Sequence, residues 1–163
     1  MADPKSSRGT ELLHRSTFHT GYFPTSVSLI PRTPVSSELA AADSVGDMDV
    51  DVKVSEQQLL LTSQEGAIAL ITPLSEQAYR RLSTLQNLLV TNLEHPCGLN
   101  PRAYRSAETD GVGGRAMLDG NLLRRWLDQS SQYQASLADR IGATIWDVRG
   151  DIEAVCGAGL GYI

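Results

Sequence analysis

The sequence predicts a mixed β and α fold, with short strands first and a small helical domain after them. Three observations carry this. Two apolar, β-prone runs, residues 59–62 and 67–72, flank Ser63-Gln64-Glu65-Gly66, and Gly66 supplies the positive φ that a tight hairpin wants. Directly after them Tyr79, Leu82, Leu85, Leu89 and Leu93 recur at intervals of three and four, which places them on one face of a helix. Beyond residue 118, capping residues (Asp119, Thr144) and terminating glycines (Gly142, Gly157) bracket further short apolar segments, as they do in helices.

Taken in order, residues 1–16 are mostly polar and are expected to be disordered. Residues 17–30, TFHTGYFPTSVSLI, mix aromatic and β-branched residues with Gly21 and Pro24, which suits two strands joined by a bend. Residues 31–55 hold Pro31, Pro34, several serines and Asp43, Asp47, Asp49 and Asp51. They read as an extended surface loop, the alternative being an acidic docking segment for a basic partner. After the hairpin, Pro73 ends the second strand and Ser75 is the N-cap, with Leu74 and Tyr79 as a hydrophobic staple and Glu76 set against the helix dipole. Arg80, Thr84, Asn87 and Thr91 take the opposite, polar face. His95, Pro96 and Gly98 stop this helix, with His95 as a dipole-favoured terminal residue. In Asn100-Pro101-Arg102 the proline biases Asn100 toward an extended or turn conformation, giving a rigid connector.

A glycine-rich loop, residues 107–116, leads to Asp119, the N-cap of a helix carrying Leu122, Leu123, Trp126 and Leu127. Residues 131–141 place Tyr133, Leu137 and Ile141 at steps of four and end on Gly142. Thr144 and Asp147 form a capping box for a last helix in which Ile145, Val148, Ile152 and Val155 share a face. The tail, residues 157–163, is too glycine-rich to be helical. The expected division is a disordered stretch 1–16, a strand region 17–73 containing the loop 31–55, and a helical C-terminal domain 74–163 of about four helices.

The totals narrow the function. With 163 residues, 41% hydrophobic and 20% charged, the chain can hold one domain with its own core. A net charge of −5 argues against a protein whose main task is to coat nucleic acid, since phosphate affinity needs a basic surface. No apolar run approaches the roughly 20 residues that span a bilayer, and the N-terminus lacks a secretory signal's apolar core. The expectation is a soluble intracellular protein with no membrane partner. Cys97 and Cys156 give no disulfide framework. Gly111-Val112-Gly113-Gly114-Arg115-Ala116 matches a dinucleotide fingerprint in letters, but Glu108, Thr109 and Asp110 before it are polar, so no strand delivers it. His14, His19, His95 and Cys97 lack the second ligand pair that zinc wants. There is no Gly-x-Ser-x-Gly, and Glu65 and Glu76 are explained by turn polarity and helix capping. No catalytic residue, cofactor, metal or small-molecule substrate is expected, and the chain reads as a non-enzyme.

One set of residues is less generic. Glu65-Gly66-Ala67-Ile68-Ala69, Pro73-Leu74-Ser75-Glu76-Gln77-Ala78-Tyr79-Arg80-Arg81-Leu82, Leu85-Gln86, Gly98-Leu99-Asn100-Pro101-Arg102-Ala103-Tyr104-Arg105 and Leu118-Asp119-Gly120-Asn121-Leu122-Leu123 together resemble the C-terminal region of the largest subunit of the cleavage and polyadenylation specificity factor. That subunit belongs to a three-propeller scaffold family shared with the large DNA-damage-binding protein and a spliceosomal relative. The Gly98 to Arg105 motif resembles the polyadenylation branch. The resemblance covers about residue 17 onward. It implies that the strands are closing strands of a β-propeller, incomplete in this chain because each blade takes about 40 residues, followed by the helical domain. It also implies a nuclear, non-catalytic scaffold in pre-mRNA 3′-end processing, partnered by other subunits of that complex and by pre-mRNA, directly or through them. No basic import signal is present, so the nuclear placement rests on the resemblance.

Arg80, Arg81, Arg102, Tyr104, Arg105, Arg124 and Arg125 are the candidate RNA or partner contacts. Arginines interleaved with Tyr104 and Trp126 suit phosphate binding and base stacking. The favoured reading is that they bridge the helices to the propeller through carboxylates and carbonyls, with Tyr104 and Trp126 in the core, because the chain is acidic and carries no aromatic platform motif.

Overall fold

The computed structural model describes residues 10, 16–31, 57–95, 98–105 and 116–156. The acidic series, His14, Cys97, the Gly111–Arg115 pattern and the glycine-rich tail lie outside the described residues. The chain divides into two compact units, Met1–Thr20 with Glu94–Leu118, and Gly21–Leu93 with Asp119–Ile163.

The second unit opens with a three-stranded antiparallel sheet, β1 (Pro24–Pro31), β2 (Gln57–Ser63) and β3 (Ile68–Ile71), in the order β1-β2-β3. The β2–β3 turn is the expected hairpin, with Gly66 in the positive-φ conformation foreseen for it. Ser63 and Ala67 close it, the Gly66 amide donates to the Ser63 carbonyl, and Gly66 sits at φ 86°, the type I turn plus left-handed residue that suits a three-residue hairpin loop. The Ser63 hydroxyl also accepts from the Ala67 amide at 3.0 Å. Leu61 and Gln58 are the buried positions of β2, and the Thr72 hydroxyl donates to the Gln58 side-chain oxygen at 3.2 Å. In β1 the register shifts between Pro24 and Ser26, where proline cannot donate to the ladder.

Only one strand forms in the stretch where two were expected. Residues 17–20 are not a strand. Gly21 turns the chain at φ 89°, and the residues before it fall in the other unit.

Four helices make the rest of the second unit. Helix α1 (Glu76–Asn92) starts where expected, with the Ser75 hydroxyl accepting from the Ala78 amide. It ends at Asn92, because Leu93 turns to φ −96°, ψ 141°. His95 is therefore past the terminus and not a residue of the last turn. Helix α3 (Gly120–Arg124) is capped by Asp119, which accepts from the amides of Asn121 and Leu122. It stops earlier than the apolar pattern suggests: Trp126 and Leu127 lie in a tightened turn whose carbonyls accept from the Gln134 amide group at 3.0 and 3.1 Å. Helix α4 (Ser131–Arg140) ends with Gly142 at φ 69°, and the Ala143 amide reaches the Ala138 carbonyl while that of Gly142 reaches Asp139. That is the Schellman arrangement, which satisfies carbonyls left over at a helix end. Helix α5 (Ile145–Cys156) opens on the expected capping box: the Thr144 amide donates to Asp147 and the Asp147 amide to the Thr144 hydroxyl.

The core is where these helices meet. Helix α1 packs on α3, α4 and α5, and α5 packs on α3 and α4. Leu82, Leu85 and Leu89 face Leu122, Leu123, Trp126, Leu137, Ala138, Val148 and Ile152, all buried. Burying each large side chain contributes about 1.5–3 kcal/mol, so the bundle has a driving force of its own. The Asp119 amide donates to the Gln86 side chain at 2.7 Å, so the α3 cap is also pinned to α1.

The first unit contains α2 (Pro101–Arg105). Asn100, expected in an extended or turn conformation as part of a rigid connector, is outside the helix, and the residues after it form a single helical turn that was not foreseen. Its physical reason is visible in the residues: proline at the first helical position needs no amide partner, and the Asn100 side chain caps the turn by accepting from the Arg102 amide at 2.9 Å.

Candidate partner interface

The seven candidate contact residues are divided between the two units. Arg80, Arg81, Arg124 and Arg125 belong to the helical unit, Arg102, Tyr104 and Arg105 to the other. Consecutive positions on α1 send Arg80 and Arg81 in different directions, since neighbours on a helix lie about 100° apart. Arg80 is exposed and pairs with Glu76 one turn earlier, an interaction worth only a few tenths of a kcal/mol. Arg81 is turned inward. Its Nε and Nη2 donate to the two carboxylate oxygens of Asp151 at 2.8 and 2.9 Å, with side-chain exposures of 28% and 14%. That fork raises the already high pKa of the guanidinium, the hydrogen bond to Asp151 being the largest cause. Arg81 is thus a tie between two helices, α1 and α5, and not the expected bridge from a helix to the strands; its bidentate geometry is the one for which arginine is preferred over lysine.

Arg105 is engaged in the same way within its unit. Its Nη1 donates to the carbonyls of His19 and Thr20 at 2.9 and 3.1 Å, and the guanidinium carbon lies 5.0 Å from the ring centres of both Phe18 and Tyr104. The His19 amide donates to the Arg105 carbonyl at 3.1 Å, and its Nδ1 lies 3.1 Å from the Tyr104 carbonyl. The rings of His19 and Tyr104 meet edge to face at 5.0 Å, an arrangement favoured by the aromatic quadrupole. The result is a clasp that fastens residues 18–20 to α2. Phe18 was not singled out in the sequence and His19 was weighed only as a zinc ligand; the partners of this pair lie about 85 residues away, and no local period reveals such a pairing.

Arg102 and Arg124 are exposed, Arg125 is half-buried and Tyr104 is 48% exposed. Tyr104 therefore does not enter a core. Trp126 does: it is fully buried, so Arg124 and Arg125 have no stacking platform in the adjacent tryptophan. Among the described residues no group of three or more His, Cys, Asp and Glu is placed to hold a metal ion, and no helix is long and apolar enough to cross a membrane.

Large apolar side chains left in solvent are the other feature of the surface. Phe23, Val27, Leu29, Ile68, Leu99 and Trp146 are each more than half exposed. Val27 and Leu29 lie on one face of the edge strand β1, opposite Leu61 and Leu59 of β2. Trp146 lies on α5, away from the Val148 and Ile152 face.

Comparison with known proteins agrees with the sequence motifs. The family model described as the CPSF A subunit region matches residues 1–128. The protein cft1 of Aspergillus oryzae is 55% identical over 161 residues, 99% of this chain and 12% of that protein. The protein cft1 of Neurospora crassa is 38% identical, over 87% of this chain and 10% of its own length. A rice protein, named probable cleavage and polyadenylation specificity factor subunit 1, is 33% identical, over 86% of this chain and 9% of its own. The chain thus spans about one eighth or less of the length of these relatives. Family match and identities together establish that the chain belongs to the CPSF A subunit family.

Proposed function

We propose that this chain acts as a non-catalytic scaffold segment of the pre-mRNA cleavage and polyadenylation machinery in the nucleus, binding other subunits of that complex. The family membership supports the process, through relatives named for cleavage and polyadenylation; the same names favour this branch over DNA repair or splicing. The observation that carries the scaffold reading is how the arginines are used. Arg81 is held by Asp151 and Arg105 by two carbonyls and two rings, so two of the cations best suited to phosphate are engaged in ordering the chain.

In this reading β1 to β3 are closing strands of a β-propeller and the helical region is a domain docked on it. The exposed Val27, Leu29 and Ile68 support that assignment, because a strand with both faces open and an unpaired edge wants further sheet. Direct RNA contact is the second reading, favoured by the exposure of Arg102 beside Tyr104.

Affinity purification of the tagged chain, with and without nuclease, tests both. Polyadenylation-factor subunits retained after nuclease are the expected outcome. Partners that vanish with nuclease, and RNA retention abolished by Arg102→Glu with Tyr104→Ala, would transfer the role to RNA binding.

A further inference from the structure

We infer that Ser83 is a phosphorylation site for an arginine-directed protein kinase, and that it is presented only while α1 stands out of the helical bundle. This role lies beyond the scaffold reading and does not depend on it.

The run Arg80-Arg81-Leu82-Ser83 places two guanidinium groups three and two residues before a hydroxyl. Kinases whose substrate grooves are lined with carboxylates select that pattern, because the planar fork matches a carboxylate and the charges exclude other sequences. The chain's other arginine pair, Arg124-Arg125, is followed by Trp126 and Leu127 and offers no hydroxyl at the same spacing.

The fold uses the same groups for itself. Arg81 gives its Nε and Nη2 to the two carboxylate oxygens of Asp151 at 2.8 and 2.9 Å, and Asp147, one turn earlier on α5, adds a second negative charge toward it. Helix α5 thus offers Arg81 the chemistry that a kinase groove would, and one fork cannot serve both. Leu82 is 1% exposed and Ser83 is half-buried. Of the motif, Arg80 alone is open to a partner, since its pair with Glu76 is exposed and weak. Phosphoryl transfer needs the hydroxyl in line with the γ-phosphorus and within reach of the kinase's base, which a serine on a packed helix cannot achieve. Release of the α1–α5 tie is therefore the gate. In the transfer, the Ser83 oxygen bonds to the γ-phosphorus of a nucleoside triphosphate and the bond from that phosphorus to the β,γ-bridging oxygen breaks. The hydroxyl proton passes to the kinase's carboxylate base, and the nucleoside diphosphate leaves.

The test incubates the purified chain with the catalytic subunit of a cyclic-nucleotide-dependent kinase and γ-labelled ATP, and locates the label by mass spectrometry. Labelling follows the population of the open chain. It is expected to rise about 5–30-fold in Asp151→Ala, the change in folded-to-unfolded ratio that loss of such a tie gives, and further in Ile152→Ala, where a buried side chain is cut back. A variant that fails to fold still reports, because the open chain is the substrate. In the Ile152→Ala background, Ser83→Ala is expected to remove the label and Arg80→Ala to lower it about tenfold or more. Equal rates in the parent and both opened variants would overturn the gate. Label on Thr84 or elsewhere, no label in Ile152→Ala, or indifference to Arg80→Ala would overturn the site itself.

Discussion

The helical bundle and the three-stranded sheet belong to one compact unit, yet they close their surfaces to very different degrees. Leu82, Leu85, Leu89, Trp126, Leu137, Val148 and Ile152 are each at most 2% exposed, while in β1 Val27 and Leu29 are 59% and 66% exposed. The difference follows from how each element satisfies itself. A helix completes its backbone hydrogen bonds internally and needs only a partner for one face; a strand needs neighbours at both edges and cover on its faces. Four helices are enough to enclose a core, whereas three strands leave an open edge.

The sharpest break of that contrast is in the bundle. Leu85→Ala, at a fully buried site, is expected to cost about 2–5 kcal/mol, read as a lower urea midpoint with unchanged slope. A loss below about 1 kcal/mol would mean that the helices do not form a cooperative core. Next comes the tie between α1 and α5: Asp151→Ala leaves Arg81 without its fork and is expected to cost about 1–2 kcal/mol, reduced from a buried pair's value by partial exposure. A double-mutant cycle with Arg81→Ala should return most of that loss as coupling. Ser75→Ala, which removes the α1 cap, is expected to cost about 1 kcal/mol in the same urea measurement.

Smaller effects complete the series. Because Thr144 lowers the Asp147 pKa, its contribution is complete above the unfolded value of about 3.9 and is lost as pH falls through the lower folded value. Acid titration followed by helical circular dichroism should show this loss in the parent and a weaker one in Asp147→Asn. Finally, Val27→Thr with Leu29→Thr is expected to change stability by less than about 0.5 kcal/mol and to raise solubility. A loss of several kcal/mol would show that the sheet is closed after all and would erase the contrast.

Legibility in the sequence followed the range of the interaction. The β2–β3 hairpin, the caps at Ser75, Asp119 and Thr144, and the stop at Gly142 were readable because each is decided within about five residues. The helical turn at Pro101 had equally local signals, an asparagine cap and a proline at the first position, and the extended bias of the residue before proline concealed them. Residues 17–20 read as a strand from their composition, but their partner is α2, and composition carries no information about that. Of the candidate contacts, the sequence singled out Arg81 and Arg105 without identifying Asp151 or Phe18 and His19 as what they hold.

By itself the sequence determined the family, the order of strands before helices and the local start and stop of most elements, because caps, turns and periodic faces are short-range preferences that survive without the rest of the chain. Only the tertiary structure decided which arginines are used up internally, that Tyr104 stays at the surface instead of entering the core, and where the sheet is left open. Those outcomes depend on which residues distant in sequence come within a few ångströms of one another, and burial and ion pairing are set by that proximity rather than by residue type.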